Sequence, residues 1–253
     1  MAKVYRNTPR LEELFFSQHL RSIPRTLHTC WVGKATKDSK AMVELTTKSF
    51  FDQHSRSRWM HLHWTDDSIG ALEEALGVAV AHLLLKVSGA FKCDVIRTMA
   101  TLVYGGLYLD CDFTVHQNLE PILFGRDAVF ALQQDERRLD ELGFGLANGV
   151  FAVTPQHPFV RALFEEQLKG LKSLDDSATF DQSMEAVGVS AFNRVAEDHL
   201  DTFENALILP QRMVFPYGYW EADTVKHTKE AVLNHHWNGI TPALDRMKKV
   251  LSL

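Results

Sequence analysis

Tyr104-Gly105-Gly106-Leu107-Tyr108-Leu109-Asp110-Cys111-Asp112 is a glycine pair, a short apolar run and then two carboxylates one residue apart. Strand side chains alternate between faces, so Asp110 and Asp112 can point the same way where the chain leaves the strand. Carboxylates at that spacing suit an oxygen-preferring divalent cation such as Mg²⁺ or Mn²⁺, which would in turn hold a diphosphate.

Immediately upstream, Lys92 to Tyr104 reads as a helix. Val95, Met99, Leu102 and Val103 fall on one face, and Asp94, Arg97, Thr98 and Thr101 share the opposite one. Asp94 and Arg97 stand at i and i+3, close enough to pair or to grip a common ligand. Gly105-Gly106 can supply the left-handed residue that ends a helix. The strand that follows starts only a few residues before its carboxylates, which brings the Asp94/Arg97 stripe near them.

Further out, helices and strands alternate. Residues 9–21 have helical spacing, with Pro9 near the start, and Arg25 to Val32 reads as a strand stopped by Gly33. Ser39 to His54 has helical spacing, with a serine able to cap its first turn. Trp59 to Trp64 reads as a strand running into the polar Thr65-Asp66-Asp67-Ser68, and residues 71–86 as a further helix. This order predicts an α/β fold with a largely parallel central sheet flanked by helices. Ligands of such sheets sit at the carboxyl ends of the strands, where the Asp pair, Trp31-Val32-Gly33 and Thr65-Asp66-Asp67 all fall.

The 253 residues, 45% hydrophobic, are enough for one domain with a sizeable core, and neither linker nor repeat divides them. A formal charge of −5 argues against a nucleic-acid or acidic-membrane partner. No apolar run reaches the ~18 residues of a spanning helix. The amino terminus lacks a signal-peptide core, so a soluble cytoplasmic protein is expected. Cys30, Cys93 and Cys111 have no paired spacing, and reduced thiols are the default.

The segments together resemble the DXD-motif sugar transferases of glycosyltransferase family 32. Relatives include initiating mannosyltransferases of yeast-type glycan assembly, bacterial capsule-sugar transferases and, more remotely, the glucosylating domains of large clostridial toxins. Ile23-Pro24-Arg25-Thr26-Leu27-His28-Thr29-Cys30-Trp31-Val32-Gly33 is similar to the family's opening strand, and the likeness continues through Trp64-Thr65-Asp66-Asp67. Lys92-Cys93-Asp94-Val95-Ile96-Arg97 through Asp112 is similar to its Ser-Asp-x-x-Arg … Tyr-Gly-Gly-Ile-Tyr-x-Asp-x-Asp block. Asn148 with His157-Pro158, and Asn234-His235-His236-Trp237, resemble its later segments, so the likeness spans about 23–237.

What the resemblance implies is a single catalytic domain over 1–253 with a GT-A type nucleotide-sugar-binding fold. Its implied activity is a metal-dependent, retaining transfer of a hexose from a UDP- or GDP-sugar to a glycan, lipid-linked or protein acceptor. Asp112 would be the principal Mn²⁺ or Mg²⁺ ligand, and Asp110 would be shared between donor and metal. Asp94 and Arg97 would contact the donor sugar and its phosphate side, Trp31 the base, and Asn148 the transferring sugar. His236 would complete the metal site, with His235 the less favoured of the two. The chain departs from the family after Trp237, where no Ser-Trp follows, and at Val187-Gly188-Val189-Ser190, which stands where relatives carry Thr-Gly-Pro. The acceptor is therefore not copied from any relative, and it would be met in the cytosol or at a membrane face.

Other chemistry also fits part of the pattern. Leu109-Asp110-Cys111-Asp112-Phe113-Thr114 suits a haloacid-dehalogenase-like phosphotransferase, with Asp110 as nucleophile and Asp112 as general acid/base. That reading leaves Trp31, Asp94, Arg97 and the histidine pair without roles. A non-catalytic sugar-nucleotide-binding module is the third reading. His61 and His63 share a strand face but lack a third ligand nearby, so a structural role is expected. Asp135-Glu136-Arg137-Arg138 reads as a solvated turn or lid.

Overall fold

Strand β1 (Thr26–Cys30) is buried along its whole length, although three of its five residues are polar. His28 shows how that polarity is accommodated. Its Nδ1 lies 3.0 Å from the indole nitrogen of Trp64, which can only donate, so the imidazole proton sits on Nε2. Nε2 in turn donates to the Gly105 carbonyl at 2.7 Å. One neutral imidazole thus ties β1 to β2 (Met60–Trp64) and to the turn that launches β3 (Gly106–Leu109). Gly106 has φ +99°, and a Cβ there would stand 2.5 Å from the Thr26 carbonyl oxygen, so the turn requires glycine on two counts.

The computed structural model describes residues 22–133, 145–199, 205–217, 229–236 and 245–249. The remaining strands are β4 (Phe113–Val115), β5 (Ala128–Ala131), β6 (Val150–Val153), β7 (Ala206–Leu209) and β8 (Leu233–His235). Six of them form one sheet in the order β2-β1-β3-β6-β5-β7, and β4 pairs with β8 in a second. β1 is parallel to β2 and β3, β5 is parallel to β7, and β6 runs antiparallel to both β3 and β5. The sheet is therefore mostly parallel, with β6 alone reversed.

Helices cover both faces: α1 (Lys37–Gln53), α2 (Ile69–Leu76), α3 (Gly89–Tyr104), α4 (Pro158–Ser173), α5 (Phe180–Val187) and α6 (Val189–His199). Strand alternation divides the core between them. Tyr108 joins Val95, Met99, Phe130, Phe151, Phe159 and Phe192 on one side of the sheet. Leu107 and Leu109 join Leu27, Phe50, Phe113 and Leu233 on the other. Among the described residues no helix is long and apolar enough to cross a membrane.

The elements differ from the sequence reading in instructive places. The helix expected over 71–86 ends at Leu76, because Gly77 adopts φ +66° and closes it with a left-handed cap; a separate turn, Ala81–Leu84, follows. α1 begins earlier than Ser39, with Thr36 as N-cap and Ser39 returning the second bond of a capping box. α3 is buried on both faces, so the polar stripe of Asp94, Arg97, Thr98 and Thr101 is itself buried. The expected helix 9–21, the run 135–138 and Trp237 lie outside the described residues.

Candidate functional site

β3 ends at Leu109, and the chain turns through Asp110-Cys111-Asp112 into β4. The Asp110 N–H donates to the Gly149 carbonyl at 2.9 Å, which pins the turn to the residues entering β6. Asp110 shares a face with Tyr108, two residues earlier, and the Tyr108 hydroxyl donates to its Oδ1 at 2.7 Å.

Arg97, on α3, holds the cluster together. Its Nη2 lies 3.0 Å from Asp94 Oδ1 and 3.0 Å from Asp110 Oδ1. Nη1 donates to the Asn148 carbonyl at 2.6 Å, and the guanidinium sits 4.6 Å from the Tyr108 ring centroid. The Asn148 amide closes the circuit by donating to Asp94 Oδ1 at 2.9 Å. The expected i, i+3 pairing of Asp94 with Arg97 is present, and two further elements have been added to it.

Burial sets the electrostatics. It pushes Asp94 up to about 7, outweighing the attraction of Arg97, and nearby Asp110 adds to the rise. Burial also raises Asp110, against the pull of Arg97, with Asp112 contributing in the same direction. Asp112 moves the other way: burial works to raise it, but His235 and His236 together hold it below the ordinary carboxylate range. The two carboxylates of the motif are thus inequivalent, one beside an arginine and the other beside the imidazole of His235.

His235, and not His236, joins the carboxylates. Its Nε2 lies 3.2 Å from Asp112 Oδ1, and Asp110, Asp112 and His235 each offer a ligand atom within 4.8 Å of the others. β8 pairs Phe113 with His235, which sets the latter's ring toward the Asp turn. His236 is fully buried on the opposite side, with Nε2 2.9 Å from Thr114 Oγ1 and Nδ1 3.0 Å from the Tyr217 hydroxyl. Burial lowers its pKa to about 3. His236, expected at the cation, thus lies apart from the carboxylates with both ring nitrogens engaged by the protein, and His235 stands beside them instead. Two carboxylates and an imidazole form a donor set that fits Mn²⁺ or Mg²⁺.

Part of the cluster lines a cleft of about 400 Å³. Trp31 lines it together with Asp94, Arg97, Asp110, Asp112 and Asn148, so every expected site residue except His236 meets there. Cys30, Cys93 and Cys111 line it as free thiols. Phe91, Phe180, Met184 and Val189 add an apolar wall. Sequence reasoning missed that wall, and it missed Tyr108 and Gly149. Tyr108 was legible, since i and i+2 on a strand share a face. His61 and His63 are outside the cleft lining, both within 2.9 Å of Thr29 Oγ1, in the structural role expected of them.

Residues 15–128 match the family described as glycosyltransferase sugar-binding region containing DXD motif. Inositol phosphoceramide mannosyltransferase 1 of Schizosaccharomyces pombe is 27% identical over 143 residues, which are 56% of this chain and 41% of that protein. The chain thus spans less than half the length of that relative. Among solved structures, the WbbM bifunctional glycosyltransferase superposes with a TM-score of 0.50 at 8% identity, covering 90% of this chain and 49% of the other. The glycosyltransferase GlyE of Streptococcus pneumoniae TIGR4 gives 0.49 at 11% identity, covering 85% and 55%. The fold is that of GT-A glycosyltransferases.

Proposed function

We propose that this chain, whose residues 15–128 match the DXD-motif sugar-binding region of glycosyltransferases, transfers a hexose from a UDP- or GDP-sugar to an acceptor hydroxyl, with retention of configuration. The observation that carries the reading is the meeting of Asp94, Arg97, Asp110, Asp112 and Asn148 in the lining of one cleft at the carboxyl end of β3, with His235 beside Asp110 and Asp112. We read residues 1–253 as one catalytic domain.

Asp112, Asp110 and His235 would hold Mn²⁺ or Mg²⁺, which supplies charge neutralisation to the departing diphosphate. Asp94 has Oδ1 taken by Arg97 and Asn148, which leaves Oδ2 as the acceptor for a hydroxyl of the donor sugar. Arg97 acts chiefly by holding Asp94, Asp110 and the Asn148 backbone in one arrangement before the donor arrives. Trp31 offers its indole to the base, so that binding energy from a non-reacting part of the donor positions the sugar. The match over the DXD region and the third donor from His235 favour this reading over a phosphotransferase, for which the site offers no observation of its own.

The test is a panel of UDP- and GDP-sugars with Mn²⁺, read as a shift in melting temperature and as donor hydrolysis. One donor should raise the melting temperature and be slowly hydrolysed, and chelation should reverse both effects. Silence across the whole panel overturns the proposal, and trapping of a phosphorylated Asp110 would replace it with phosphotransfer.

A further inference from the structure

His236 lies beside the cation-ligating group without joining it, yet it is gripped from several directions. Its N–H donates to the Asp112 carbonyl at 3.0 Å. Its ring meets Thr114 on β4 at 2.9 Å and Tyr217 at 3.0 Å. Its carbonyl accepts from Arg246 twice, from Nε at 2.9 Å and Nη2 at 2.5 Å. Arg246 belongs to a helical turn over 245–249 and is only 9% exposed. Burying a guanidinium is costly unless its donors are satisfied, and two of these donors are committed to the one backbone carbonyl of His236.

The geometry it fixes is that of His235. Consecutive residues of an extended chain face opposite ways, so restraining the ring, N–H and carbonyl of His236 sets the direction of the side chain before it. That side chain places Nε2 3.2 Å from Asp112 Oδ1. The helical turn also packs Met247 on Met42 of α1, and Met42 lines the same cleft. Docking of the turn and the shape of the cleft are therefore linked through two separate contacts.

We propose that Arg246 is a positioning residue which, acting through His236, holds His235 in place as the third ligand of the cation, so that docking of the 245–249 turn completes the binding group. The inference rests on the reading of Asp110, Asp112 and His235 as a cation site.

The experiment measures Mn²⁺ binding to the whole chain by the electron paramagnetic resonance signal of the free ion, without donor or acceptor, alongside metal-free melting temperatures. Wild type should bind, and Asp112→Asn and His235→Ala should each weaken binding at least about tenfold. If these variants bind as wild type does, the cation-site reading fails and this inference falls with it. Arg246→Ala should weaken Mn²⁺ binding by about 10–100-fold, the usual effect of losing a partner that orients a ligand. Arg246→Lys, which keeps one donor, should recover part of the loss. A purely structural arginine would lower the melting temperature while leaving the affinity of the folded protein unchanged; that result overturns the inference and spares the cation site. Should Arg246→Ala not fold, Tyr217→Phe removes one restraint on the His236 ring and should weaken Mn²⁺ a few-fold, and unchanged affinity there again overturns the inference.

Discussion

Gly149 stands so close to Asp110 that a Cβ built on it would lie 2.5 Å from Asp110 Oδ2. The same glycine accepts the Asp110 N–H, so the carboxylate is placed by a residue that must have no side chain. Gly149→Ala should push the Asp110 carboxylate out of line with Asp112 and His235. Mn²⁺ affinity and donor hydrolysis should both fall at least about tenfold, with a loss of stability of only about 1–3 kcal/mol from local overpacking. Titration with Mn²⁺ and a thermal melt on the same sample would check this; wild-type affinity would mean that Asp110 is not a ligand.

Arg97 is a structural keystone as well as a site residue, because it neutralises the buried Asp94 and the partly buried Asp110 at once. Its own charge is opposed by burial, but Asp110, Tyr108 and Asp94 hold it protonated well above its ordinary value. Arg97→Ala would leave Asp94 and Asp110 facing each other without a cation, at a cost of about 3–5 kcal/mol. Adding Asp94→Asn should recover part of that stability but none of the donor binding. Denaturant melts of the single and double variants separate the two effects, and simple additivity would mean that the pair is not coupled.

Much of this arrangement was legible because it is local. The Asp-x-Asp turn follows from strand parity, the Asp94/Arg97 stripe from helical spacing, and the β3 launch from two glycines. What was not legible depends on register between distant segments. Whether His235 or His236 meets Asp112 is decided by β8 pairing Phe113 with His235, and a slip of one residue would exchange the two rings. Gly149 meets Asp110 because β6 runs antiparallel beside β3, a pairing across some forty residues that no periodicity encodes. The split at Gly77 was local and could have been found, since a glycine followed by Val78-Ala79-Val80 is a poor continuation for a helix.

Trp31 is half-buried at the cleft wall, and its indole nitrogen is buried with no hydrogen-bond partner among the described residues. A core tryptophan normally finds a partner for that N–H. Trp31→Ala should therefore weaken UDP or GDP binding about tenfold or more while the fold survives, and Trp31→Phe should fall between. Calorimetric titration with the nucleotide alone measures this. Unfolding of Trp31→Ala, or unchanged nucleotide affinity, would identify Trp31 as a packing residue.

Buried histidines give the protein a predictable acid sensitivity. Burial lowers His28, His61 and His157 each to about 4, and His236 to about 3. In the unfolded chain they titrate near 6.5, so between those values the unfolded state binds more protons and stability rises with pH. Their contribution is fully present above about pH 6.5 and is lost as pH falls toward 4. For fully buried His28 alone the amount is roughly 3 kcal/mol. Asp94 opposes this: its folded pKa of about 7 stabilises the protein at low pH, and that contribution is lost as pH rises through 7. Asp110, also raised by burial, acts in the same sense as Asp94, but four imidazoles outweigh two carboxyls, so melting temperature should fall steadily from pH 7 to pH 4.5. His28→Gln keeps a donor for the Gly105 carbonyl but removes the titrating group. It should be less stable at pH 7 and show a shallower pH dependence; a slope equal to wild type would mean that His28 charges without unfolding the protein.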